Sequence, residues 1–147
     1  MNTAKDLNLE PPRSPQNRLG GYAILARCLD KGRAELHHTA GEYHFNCPLD
    51  NMLFSFKGVN GDDVWKMLQE DATDEDMVEW FNNHGTPRSA KEIAQWSASV
   101  EAVRPSEDPE KKEWFAGECE PLGLNPAKTT LFEYLDEDDK QMALQMA

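Results

Sequence analysis

Beyond Pro48 the chain is punctuated by helix start and stop signals at intervals that leave room only for short helices. Leu49, Met52, Leu53 and Phe56 fall at helical spacing and stop at Gly58. Asn60 then stands as an N-cap with Asp63 three residues on, and Thr73 with Asp76 and Ser89 with Glu92 have the form of capping boxes. Asp108-Pro109 and Asn125-Pro126 each place a capping side chain before a proline at the first helical position. Apolar stripes follow each start, such as Ile93, Trp96, Val100 and Val103, or Leu131, Phe132, Tyr134 and Leu135. The spacing predicts six helices in this part of the chain.

Ahead of Pro48 the signals change. Residues 1–18 contain Pro11, Pro12 and Pro15 and no period, which predicts an extended arm lying over the body or a partner. Ile24, Leu25, Cys28 and Leu29 mark a helix starting near Gly21, with Gly32 placed to end it. From Glu35 to Asn46 apolar residues alternate with polar ones, and a turn at Ala40-Gly41 would set Leu36 against Phe45, His37 against His44 and His38 against Tyr43. The expected fold is mainly α: a compact bundle of about seven short helices, with a small β-hairpin allowed at residues 35–46. Residues 1–18 form the arm and residues 19–147 a single helical domain.

Charge narrows the partners. Residues 1–56 carry six Lys or Arg and six Asp or Glu, so the net −12 lies wholly in residues 57–147. That balance disfavours nucleic acid and anionic membrane. No apolar run reaches the length of a membrane span and the first residues lack a signal-peptide core, so a cytoplasmic location is expected. Cys28, Cys47 and Cys119 are odd in number and widely spaced, which points to reduced thiols rather than disulfides or a thiolate zinc site. Mean hydropathy is low, −0.74, but four Trp, six Phe and three Tyr supply enough large apolar surface for a folded core. Exposed aromatic rings could equally seal a dimer.

Several strings carry a family likeness: Pro12-Arg13-Ser14-Pro15, Leu19-Gly20-Gly21-Tyr22, Leu29-Asp30-Lys31-Gly32-Arg33-Ala34, Gly41-Glu42-Tyr43-His44-Phe45-Asn46-Cys47-Pro48-Leu49-Asp50 and Glu92-Ile93-Ala94-Gln95-Trp96-Ser97. Through them nearly the whole chain resembles the domain of unknown function 5069 family of small bacterial proteins. The resemblance implies one intact domain and brings no activity, cofactor or catalytic residue with it.

Residues 13–46 hold most of the candidate chemistry. A helix opened by Gly20-Gly21 would offer free N–H groups to an anion, with Arg13, Arg18, Arg27 and Lys31 as cationic partners. Arg27, Asp30, Lys31 and Arg33 also have the spacing of a surface ion-pair ladder. In the hairpin register His37 and His44 would face each other, with Glu35 and Glu42 diagonal to them, as candidates for a metal; solvated polar pairs account for them as well. Cys47, ahead of Pro48, takes an N-cap position where a helix's positive end favours a thiolate, and His44 and Asp50 are near enough to assist it. Glu118 interrupts an apolar stripe, and the acidic run Asp136–Asp139 reads as a solvated helix end. Two functions fit these residues: a non-enzymatic module for an anionic small molecule or an acidic partner segment, or a small enzyme using Cys47 with His44, or a metal on His37 and His44. No cofactor is implied.

Overall fold

The computed structural model describes residues 4–146, so the first three residues of the arm lie outside it. Among the described residues there are seven α-helices and no strand ladder: α1 (Leu25–Leu36), α2 (Pro48–Lys57), α3 (Gly61–Gln69), α4 (Asp74–Asn83), α5 (Ala90–Glu101), α6 (Lys112–Cys119) and α7 (Leu131–Met146). Single 3₁₀ turns at Pro105–Glu107 and Glu120–Leu122 flank α6. No helix is long and apolar enough to cross a membrane among the described residues.

Local chemistry explains most of the boundaries. Gly58 ends α2 in the left-handed region at φ 68°, and the Asn60 side chain accepts from the Asp63 N–H to open α3. Both boxes, Thr73 with Asp76 and Ser89 with Glu92, are closed in both directions. The Asp108 and Asn125 side chains instead accept from Glu110 and Ala127, two residues on, and so make turns. Helices α6 and α7 consequently start later, at Lys112 and Leu131, and α7 is opened by a capping box of Thr130 with Glu133.

Helix α1 is the centre of the molecule, with every residue from Leu25 to Ala34 buried. Its apolar residues Leu25, Cys28 and Leu29 share one core with Leu53 and Phe54 of α2, Val64 and Leu68 of α3, Met77 and Phe81 of α4, Ile93 and Val100 of α5 and Phe132 of α7. A smaller cluster joins Phe115 and Cys119 of α6 to Tyr134 of α7.

Two expectations for this region are corrected. The first helix starts at Leu25 and passes through Gly32 instead of ending there. Gly20 and Gly21, with φ of 60° and 88°, make a tight turn in which Leu19 and Tyr22 exchange N–H···O bonds of 3.0 Å. Gly32 is needed for closeness: a Cβ there would collide with Leu68 and come within 3.0 Å of Phe45. The hairpin does not form either. Leu36 completes α1, and His38, Gly41 and Asn46 all have positive φ, which breaks the extended path two strands would need. His37 and His44 are exposed and lie in a looped segment rather than in paired strands.

Candidate functional site

The cations of α1 are the first surprise. They form no surface ladder: Arg27 is 4% exposed, Asp30 5%, Lys31 3% and Arg33 9%, and each is met by a different segment. Arg13 of the arm donates to both Asp30 oxygens at 3.0 and 3.1 Å and reaches Asp74 at the start of α4. Arg33 donates to the same Asp74 at 2.8 Å and to the Ala72 carbonyl. Burial works to raise the Asp74 carboxyl, but the hydrogen bonds from Arg13 and Arg33 outweigh it and hold the group below the usual carboxylate range. Arg18 pairs with Glu101 of α5 at 2.7 and 2.9 Å. The N–H groups following the glycine pair also have partners: Ala23 donates to Ser97 Oγ and Ile24 to the Pro15 carbonyl. Arg13, Arg18, Gly20 and Gly21 thus sit in the packing of arm and turn against the body.

Arg27 and Lys31 face elsewhere. Both line a cavity of about 840 Å³ bounded by α1, the looped segment 42–47, α2, the turn around Pro105, α6 and α7. Leu49, Met52, Val103, Leu131, Leu135 and Met142 make its apolar wall, and Trp114, 49% exposed, stands at its edge. Arg104, Lys111, Glu42, Asp108 and Glu110 give the wall charge of both signs.

Two buried ionic groups are set into this wall. In the first, the Arg27 guanidinium donates to both Asp139 oxygens at 2.6 and 3.2 Å, and the Tyr43 hydroxyl donates to Asp139 at 2.9 Å. Burial, followed by the Asp139 charge, pushes the Tyr43 phenol well up, which keeps it a donor. Burial, with Asp139 and Glu118 next, likewise raises the neighbouring Asp138 carboxyl. In the second group, Lys31 Nζ donates to Cys47 Sγ at 3.1 Å and lies 3.0 Å from Asp50 Oδ1. That oxygen has no hydrogen bond of suitable direction, so its contact with the ammonium is ionic, while Oδ2 accepts from the Asn46 N–H at 2.9 Å. Burial opposes the Lys31 charge, yet Asp50 and Cys47 together move its pKa upward.

Cys47 is the N-cap of α2 with Pro48 behind it, as the sequence suggests, and its side chain caps no N–H. The first-turn N–H groups of Leu49 and Asp50 are thus not capped by the Cys47 side chain, and the positive helix end lies at this residue. Cys47 is half-buried and opens to the cavity, whereas Cys28 and Cys119 are buried. His44 lines the same cavity from the exposed side. The structure therefore brings together Arg27, Lys31, His44, Cys47 and, behind them, Asp50. Among the described residues no group of three or more His, Cys, Asp or Glu is placed to hold a metal ion.

Sequence reasoning missed Asp139, Tyr43 and Trp114 as members of the site. Asp139 is 5% exposed within a run expected to be solvated. The available signal was its position: Leu131, Leu135, Asp139 and Met142 fall on one face of α7, so the acid continues an apolar stripe and requires a buried partner. Glu118, by contrast, is exposed and accepts from Tyr134 at 3.0 Å. His84 is exposed too, stacked on Trp80 at 4.7 Å with Nδ1 against the Trp80 carbonyl.

Comparison with curated proteins finds no match. The family comparison does find one, over most of the length that builds both the core and the cavity. The chain belongs to the family described as Domain of unknown function (DUF5069), whose model matches residues 9–141.

Proposed function

We propose that this chain binds a small amphipathic organic anion in the cavity between α1, α2 and α7. The observation that carries the reading is the Lys31–Cys47 contact at the open first turn of α2, set beside the apolar side chains of the cavity wall. A cavity of about 840 Å³ is within the usual range for small-molecule sites. Leu49, Met52, Leu131 and Leu135 suit a hydrocarbon part, and the α2 N–H groups with Lys31 suit the acidic head. Arg13 and Arg18 serve in this reading as anchors of the arm. The same reading takes residues 19–147 as one helical domain acting in a bacterial cytoplasm, where Cys47 stays reduced.

Trp114 emission provides the test. Titration with hexanoate and octanoate should change the signal saturably, with the matching alcohols about tenfold weaker, a difference of roughly 1.4 kcal/mol. Met52→Trp, which fills the cavity, should abolish the response measured by calorimetry while the fold is retained. Equal binding of acid and alcohol, or none of either, contradicts the proposal.

A further inference from the structure

We propose that Cys47 is an acyl-accepting nucleophile, taking the acyl group of a thioester or other activated carboxylate whose chain occupies the apolar part of the cavity. The inference rests on the binding reading above and names the reactive class of its ligand. Four features stand together. The sulfur opens to the cavity, a 3%-exposed Lys31 ammonium lies 3.1 Å from it, the first-turn N–H groups of α2 have no side-chain cap, and apolar side chains line the adjoining wall. The ammonium and the first-turn N–H groups beside the sulfur favour an oxyanion formed next to it.

A second observation concerns Arg27 in the same wall. Arg27 has a side chain 5% exposed and lines the same cavity, and its Nε is buried with no hydrogen-bond partner among the described residues. Asp139 meets the Arg27 charge, but a buried N–H without an acceptor is costly, and an acceptor brought in beside it would relieve that cost.

The step balances without an oxidant or reductant. Cys47 Sγ forms a bond to the acyl carbon as the carbonyl π pair moves onto oxygen, beside Lys31 and the α2 N–H groups. The oxyanion collapses, the bond from carbon to the donor's sulfur or oxygen breaks, and the pair leaves with the donor. The proton lost by Cys47 passes to solvent at the open side of the cavity, and solvent returns one to the leaving group.

The experiment uses the full chain with p-nitrophenyl hexanoate, read by p-nitrophenolate release, intact mass and peptide mapping. The expected result is one equivalent released in a burst, with a hexanoyl group on Cys47, at a rate about tenfold or more above that of glutathione. Cys47→Ala should lose burst and adduct together. Lys31→Met combined with Asp50→Asn, which avoids leaving a buried unpaired carboxylate, should slow acylation toward the glutathione rate. Acylation of Cys47 no faster than glutathione, or an unchanged burst in Cys47→Ala, overturns the inference. Hexanoate binding measured alongside separates the two readings: binding without acylation leaves the site and removes the nucleophile, and absence of both removes both.

Discussion

Gly32 shows how one residue can carry two sequence meanings. Its place after an apolar stripe marks a helix end, whereas the structure uses its missing side chain to bring α1 against Leu68 of α3 and Phe45. Ala is ordinarily better than Gly inside a helix by about 1 kcal/mol. At this position Gly32→Ala should instead destabilise by about 1–3 kcal/mol, as an overpacked core does, and urea unfolding measures the sign. Asp74 has a comparable hidden role, since its partners Arg13 and Arg33 are remote in sequence and could not be assigned from spacing. Its carboxyl is lower in the folded state than in the unfolded chain, so its stabilising effect is complete above the unfolded value, about 4, and disappears as pH falls through the lower folded value. Asp74→Asn should therefore cost about 1–3 kcal/mol at neutral pH, between exposed and buried ion pairs, and should flatten the loss of stability below about pH 4. Denaturation curves at a series of pH values check both parts.

At the scale of elements, the helices with local capping chemistry were legible, and those held by distant groups were not. Asn60, Thr73, Ser89 and Gly58 act as their sequence context says because the bonds they make span three or four residues. Asp108 and Asn125 have the same outward signature, but their side chains close turns, and the true box at Thr130 and Glu133 lies a few residues on. The alternation at 35–46 was genuine but served other ends. Tyr43 bonds Asp139, Phe45 packs on Phe54 and Trp65, and the Phe45 N–H donates to Glu35 at 2.8 Å. The docking of α7 depends on the Arg27–Asp139 pair, with side chains 5% and 7% exposed. Asp139→Asn should lower stability by about 3 kcal/mol because it leaves a buried guanidinium without its charge partner. Arg27→Met combined with Asp139→Leu should cost less than the single change, as the thermal midpoints of the two variants will show.

For the whole molecule, a helix bearing four buried charged residues is placed at the centre, and surrounding segments fold onto it by neutralising those charges one at a time. Two of the resulting pairs, Arg27–Asp139 and Lys31–Asp50, lie beside the cavity; Arg13, Arg33 and Arg18 bind the arm and α4 and α5 instead. Half of the site was thus visible in the sequence. Lys31, His44, Cys47 and Asp50 cluster within a short stretch, while the α7 wall, Asp139 and Trp114 are brought to it only by packing across the chain. The most direct measurement is an amide chemical-shift map of the protein titrated with octanoate. Binding in the cavity predicts saturable shifts concentrated in the residues that line it, around Arg27 and Lys31 of α1, residues 42–52, Trp114 and the Leu131–Met142 face of α7, suppressed in Met52→Trp. Shifts scattered over the surface, or none at millimolar octanoate, would contradict it.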